Sequence, residues 1–361
     1  ASLDGDRLIV GAPLWDSVRP TAPGSAFIFE LIDGEWQEVL RLDGEINDDR
    51  FGTDVLLQGD LALVSAINDP YGAPGVGFVN VYERTEQGTW LFVQQLTASS
   101  GGAGTGYGFR MDLNGDTLVV GAPDEVVSSN HRGAAYVYER GVDGFQEVQK
   151  LTVDQTTSIR DFGRECAVHD NWIAIGANLA GFGTRFGTIF TFHFNGSEWE
   201  DSIRILPEHP EGQDFFGAVI HLDDEFLIAS AKFDMGSMSN GSVYVYEVTP
   251  TELRFLHRIV PSETHYGQRF GSSLCRFDRF LAVGASGYPV PIQGGGCIYL
   301  FEINGTDFTE LQKVRSVPML MSDRVGLSLC MNKGNIITRS DQQNGSKGAM
   351  YTFTEFTPEP T

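Results

Sequence analysis

The chain has 361 residues, 41% of them hydrophobic, and its 48 Asp+Glu outweigh its 25 Lys+Arg to leave a net charge of −23. That charge disfavours nucleic acid and anionic membrane surfaces as partners, since both demand a basic face. No apolar run reaches the roughly 18 residues that a membrane helix needs, so no membrane insertion is expected.

The first clear element, residues 5–13, reads GDRLIVGAP, and 115–123 reads GDTLVVGAP. Weaker copies follow the same frame: GDLALVSA at 59–66, DNWIAIGA at 170–177, DEFLIASA at 224–231, DRFLAVGA at 278–285 and GNIITRS at 334–340. The aligned positions are Gly11, Ser65, Gly121, Gly176, Ser230, Gly284 and Arg339, in steps of 54 to 56 residues. A fixed period over the whole chain means seven structural units.

Each unit carries three further marks. Before the frame stands an aromatic–glycine pair: Phe51-Gly52, Phe162-Gly163, Phe216-Gly217 and Phe270-Gly271, with Tyr107-Gly108 and Val325-Gly326 as variants. After it come aromatic alternations such as GSAFIFE (24–30), GAAYVYE (133–139), GSVYVYE (241–247) and GCIYLFE (296–302). The unit closes on EWQEVLRL (35–42), TWLFVQQL (89–96), GFQEVQKL (144–151), RFLHRI (254–259) or FTELQKV (308–314). Short β-branched and aromatic runs between Gly, Asp, Asn and Pro read as strands, and four per unit is the arithmetic of a propeller blade. In each blade, strand A begins at the aromatic–glycine pair and lies innermost. Strand B ends in GAP, strand C is the aromatic alternation and strand D is outermost. The small residues of GAP are expected to receive an aromatic side chain of another blade, and the glycine after the aromatic to let backbones approach closely.

These motifs resemble the FG-GAP repeat, the blade of integrin α-subunit head propellers and of many bacterial and algal extracellular proteins. The resemblance runs over essentially the whole chain. It implies an all-β fold, a seven-bladed β-propeller of four-stranded antiparallel blades, in a secreted or cell-surface adhesion role. The family often carries a DxDxDG calcium loop between strands A and B. Here that link has shrunk to turns such as LDGDRL and LNGDTL, too short for a calcium shell. Asp4, Asp6, Asp60 and Asp116 are therefore expected to serve the turns. No cofactor is expected, and any calcium would sit among rim carboxylates.

One propeller accounts for 1–356, with its first and last blades incomplete, and 357–361 reads as the start of a linker. About 20–25 upstream residues are expected to supply the last strand D and the start of the first strand A. Flanking domains of the same polypeptide are expected partners. Cys166, Cys275 and Cys330 are read as filling one apolar slot of strand A, that of Val55, with Cys275 and Cys330 the one pair worth watching for a disulfide.

The long B–C and D–A loops share one face, where function is expected. Candidate ligand-binding residues there are Trp15, Asp16, Asp48, Asp49, Arg50, Asp69, Tyr71, Asp124, Glu125, Asp161, Asp214, Asp234 and Arg269. Arg324 also precedes an aromatic–glycine-type pair, and Tyr107 and Tyr288 are further exposed-aromatic candidates. His131, His209 and His265 come from separate units without metal-ligand spacing, so no metal site is expected. Asn195, Asn240, Asn304 and Asn344 each begin an Asn-Gly-Ser/Thr sequon, readable as a tight turn or as a glycan acceptor. No catalytic motif appears. The expected function is a non-enzymatic module binding a protein or glycan on the long-loop face; the alternative is a glycoside hydrolase or polysaccharide lyase using carboxylates of that face.

Overall fold

The computed structural model describes residues 1–13, 23–45, 50–67, 77–102, 104–128, 132–153, 159–179, 186–208, 214–234, 240–287, 295–315, 324–332, 335–340 and 349–354. Every regular element among them is a strand. The first sheet runs β1 (Ser2–Asp4), β2 (Arg7–Ala12), β3 (Ser25–Ile32) and β4 (Glu35–Asp43); the second β5 (Val55–Gln58), β6 (Leu61–Ala66), β7 (Phe78–Arg84) and β8 (Trp90–Leu96). The third holds β9 (Met111–Asn114), β10 (Thr117–Val126), β11 (Arg132–Gly141) and β12 (Gly144–Leu151); the fourth β13 (Glu165–His169), β14 (Trp172–Ala177), β15 (Thr188–Phe194) and β16 (Trp199–Ile205). The fifth holds β17 (Phe216–Leu222), β18 (Phe226–Ala231), β19 (Ser242–Val248) and β20 (Leu253–Ile259); the sixth β21 (Phe270–Phe277), β22 (Phe280–Ala285), β23 (Cys297–Asn304) and β24 (Asp307–Val314). The seventh has three strands among the described residues, β25 (Leu329–Asn332), β26 (Asn335–Ser340) and β27 (Ala349–Thr354). Each sheet is an antiparallel meander in chain order, the blade pattern of a seven-bladed β-propeller. Two compact units divide the chain: Ala1–Ala180 with Phe190–Ile203, and Gly181–Ile189 with Arg204–Thr361.

Among the described residues the A–B turns are two-residue hairpins in five sheets, as between Asp4 and Arg7 and between Asn114 and Thr117. Their first loop residue is left-handed: Gly5, Gly59, Gly115, Asp170 and Asp278 have φ between 48° and 60°. The turn acids divide their work. Asp4 Oδ2 accepts the Gly59 N–H of the next sheet at 2.5 Å, whereas the carbonyls of Asp6, Asp60 and Asp116 accept the Leu31, Arg84 and Arg140 amides.

The aromatic–glycine pair forms a turn. Arg50 O accepts the Thr53 N–H, and Gly52 between them has φ 88°, the left-handed third position of a type II turn that favours glycine. The same bond recurs at Asp161, Phe215, Arg269 and Arg324. The turn clasps the preceding sheet through backbone hydrogen bonds. Phe51 N–H donates to Pro23 O, and Phe270 N–H to Asn240 O. A Cβ on Gly11 would stand 2.0 Å from Gly52 O, and one on Gly24 would stand 2.3 Å from Phe51 O. The small GAP residue thus receives a backbone carbonyl of the next sheet, and not the aromatic ring that the sequence suggests. The ring turns back onto its own strand C: Phe216–Tyr244 and Phe270–Tyr299 meet edge to face at 5.2 Å, Tyr107–Tyr136 at 5.5 Å. Such pairs contribute about 0.5–1.5 kcal/mol each beyond their burial.

The cysteines do not share one slot. Cys166 opposes Ile175, but Cys275 opposes Ala282 and Cys330 opposes Ile337, one place further along and so on the other sheet face. The offset is in the sequence itself: Cys275 and Cys330 stand five residues after Phe270 and Val325, whereas Cys166 stands four after Phe162, so Leu274 and Leu329 fill the place of Val55. All four cysteines are free thiols. Among the described residues no helix is long and apolar enough to cross a membrane.

Candidate functional site on the long-loop face

The long loops are anchored by a repeated arrangement. Strand C places a tyrosine directly opposite a strand D cation: Tyr136 and Lys150, Tyr244 and Arg258, Tyr299 and Lys313. Each cation lies over its ring, 5.5, 5.8 and 5.1 Å from the centroid respectively. An acid four residues after the small GAP position completes two of these groups. Glu125 is buried, with Tyr136 OH at 2.6 Å and Lys150 Nζ at 2.5 Å. Asp234, also buried, accepts from Tyr244 OH at 3.0 Å, from Ser242 Oγ, and pairs with Arg258 at 2.8 Å. Burial first, then the neighbouring carboxylate, pushes the phenols of Tyr136 and Tyr244 up.

The incoming D–A loop fastens to the same strand D. Ser99 donates its N–H and Oγ to the Glu147 carboxylate, and Lys150 reaches Ser100 Oγ at 2.8 Å. In the sixth sheet Ser262 donates twice to Glu310, and Lys313 pairs with Glu263 at 2.9 Å. The E-x-x-K spacing of strand D therefore has one residue for the loop and one for the tyrosine.

Several sequence candidates are absorbed by this framework. Glu125 and Asp234 are not solvated rim residues, because each is buried against a cation and a phenol. Tyr107 is fully buried and donates to Tyr138 OH at 2.7 Å, so it is no exposed aromatic. Asp214 is buried too, and its carbonyl takes the Phe233 N–H at 3.3 Å. Arg50, Asp161 and Arg269 hold left-handed seats (φ 53°, 62° and 56°) before the aromatic turn. Asp161 is buried and lies 3.8 Å from Arg164. Asp124 is exposed and its N–H ties to Thr105 O. Trp15, Asp16, Asp48, Asp49, Asp69, Tyr71, Tyr288, His131, His209 and Asn344 lie outside the described residues. Asn195 Oδ1 accepts from Ser197 and from the Glu198 amide in an exposed turn, Asn304 is exposed, and Asn240 is buried.

One constellation was not among the expected sites. Asp54, Arg110 and Glu165 occupy the fourth place of three successive strand A segments, counted from the aromatic. Arg110 lies 3.3 Å from Asp54 Oδ1 and 3.1 Å from Glu165 Oε2. Asp54 Oδ2 also accepts the Met111 N–H at 2.8 Å. Burial pushes the Glu165 carboxyl up to about 7, against the opposing pull of Arg110. The signal was in the repeat itself, since the equivalent places hold Val219, Ser273 and Ser328.

On the short-turn side, a groove of about 480 Å³ in the second unit is lined by His221, Asp223, Glu225 and Arg276 among others. Arg276 is already paired with Asp223 and Glu225. Burial opposes ionisation of Asp223, but hydrogen bonds from His221, Arg276 and the Phe226 amide hold its carboxyl well below the usual range. Among the described residues no group of three or more His, Cys, Asp or Glu is placed to hold a metal ion.

Residues 90–138, from strand D of the second sheet through strand C of the third, match the FG-GAP repeat. The chain carries an FG-GAP repeat within a seven-bladed β-propeller. This FG-GAP propeller is similar in fold to the crystal structure of a Bacteroides fragilis NCTC 9343 protein provisionally named a 6-phosphogluconolactonase. The TM-score is 0.56 at 11% identity, over 96% of this chain and 94% of that one. At such identity the likeness concerns the fold alone. No curated protein matches the FG-GAP propeller.

Proposed function

We propose that this FG-GAP propeller is a non-enzymatic binding module of an extracellular or cell-surface protein, taking a protein or glycan ligand on its long-loop face. The observation that carries the reading is the locking of two acids of that face, Glu125 and Asp234. Glu125 and Asp234 would be the natural proton-transfer groups of a loop-face enzyme, yet each is buried against a cation and a tyrosine. They act as loop anchors, and a rigid scaffold presenting loops is the architecture of a recognition module. The extracellular placement rests on the likeness to integrin α-subunit heads and other FG-GAP proteins. A glycan array probed with the whole chain, followed by a reducing-end assay on each hit, tests it. Binding without turnover is the expected result.

A second reading is favoured by the Asp54–Arg110–Glu165 group. Two carboxylates share one arginine, and a carboxyl near 7 is matched to acid–base work at neutral pH. A carbohydrate-active or other hydrolytic enzyme would then act through these strand A residues. The structural neighbour's lactonase name makes lactones a sensible addition to the assay. Turnover lost in Glu165→Gln would select this reading.

A further inference from the structure

Within the second unit, Phe233 opens the B–C loop of the fifth sheet and lies between two left-handed seats. On one side is Phe215, φ 56°, with its ring centroid 5.0 Å away. On the other is Arg269, φ 56°, with its guanidinium 5.5 Å from the Phe233 centroid. The Lys232 ammonium lies 5.9 Å from the same centroid. We propose that Arg269, set on Phe233 beside Lys232, is a binding site for a carboxylated or sulfated saccharide. The proposal rests on the binding-module reading and names its ligand class.

Three features support the assignment. First, Arg269 is exposed, and among the described residues it pairs with no carboxylate. In a chain of net charge −23 that leaves a planar, bidentate anion receptor unused by the fold. Second, its pose is built. The backbone is fixed by the turn in which Arg269 O accepts the Ser272 N–H. Gly287, the sixth sheet's counterpart of Phe233, has no side chain, and a Cβ there would stand 3.3 Å from Arg269 Cγ. The side chain therefore has its way open across to Phe233. Third, Tyr266, in the same D–A loop, is 75% exposed and offers a ring for stacking against sugar.

A small saccharide suits this site better than an acidic protein. It brings one anion to one guanidinium, whereas an acidic surface would meet the repulsion of the whole chain. The expected interaction is local, bidentate and of modest affinity.

The test is isothermal titration of the whole chain with three probes: trigalacturonate, a chondroitin 4-sulfate disaccharide and maltotriose. A ten-residue glutamate peptide serves as the protein-like competitor. The charged saccharides should bind, maltotriose should bind at least tenfold more weakly, and Arg269→Gln should lose at least tenfold in affinity for the charged probes. Arg269→Lys should recover less than the full affinity, because an ammonium has no planar fork. Phe233→Leu should weaken binding with its fold intact by thermal melting. Equal affinity for maltotriose, or unchanged binding by Arg269→Gln, overturns the anionic site and leaves a glycan-binding face standing. Arg269-dependent binding of the glutamate peptide with no saccharide bound also overturns it, in favour of a protein ligand. Release of new reducing ends from a bound probe overturns the non-enzymatic reading instead.

Discussion

Gly121 of the third sheet lies directly under the carbonyl oxygen of Gly163, the turn glycine that leads into the fourth. A Cβ at residue 121 would stand 1.9 Å from that oxygen. The contact is backbone on backbone, so no side-chain rotation relieves it. Gly121→Ala should cost about 1–3 kcal/mol, the range for overpacking a filled core. Denaturant unfolding measures it, and the exposed Gly141→Ala, with open space around its Cβ, is the control.

The Glu125 anchor makes a second expectation. Glu125→Ala leaves the Lys150 ammonium and the Tyr136 hydroxyl without their shared carboxylate. The loss should be about 1–3 kcal/mol, the cost of stranding buried polar partners. Glu125→Gln keeps a hydrogen-bond acceptor and should cost less. Hydrogen exchange should show the 97–106 loop opening in the alanine variant, since Ser100 sits on the same network.

How much of this could be read in advance depends on what leaves a trace in side chains. The strand order, the seven frames and the two-residue A–B turns were legible because alternation and turn residues write themselves into the sequence. The role of Gly11 and Gly121 was half legible: the glycine is visible, but the carbonyl that replaces its Cβ carries no residue identity. Glu125 and Asp234 read as rim acids because their cations, Lys150 and Arg258, lie 24–25 residues on and meet them only through C–D pairing. The cysteine frame misled because Cys275 and Cys330 stand one residue further from the aromatic–glycine-type pair than Cys166, and one residue along a strand is the other face. The Asp54, Arg110 and Glu165 group was legible in principle, as three charges at a repeat position otherwise Val or Ser.

Glu165 gives a pH expectation. Its carboxyl ionises near 4.5 when unfolded and holds its proton to about 7 when folded. Between those values the folded chain binds more protons, so this group's contribution to stability falls as pH rises from about 4.5 to 7 and is flat above. The full effect is about 3 kcal/mol. Glu165→Gln should remove that slope and unfold later than the parent at pH 8. Denaturant midpoints at pH 5, 6, 7 and 8 decide it; parallel curves for the two proteins would refute the assignment.

The thiols give a fourth. Burial pushes Cys166 well up, Cys275 and Cys297 to about 12 and Cys330 to about 11. The thiolate is the reactive form, so a thiolate-directed reagent at pH 8 should find the native chain silent. All four thiols should react once denaturant is added. Fast labelling of the native protein would contradict the burial of these strands.

The most direct test of the binding-module reading pairs a glycan array with a reducing-end assay on every hit, run on the parent chain and on Glu165→Gln. The account expects saturable binding by both, equal within twofold, with no new reducing ends from either. New reducing ends released by the parent and not by Glu165→Gln would contradict it and make the strand A carboxylates a catalytic pair.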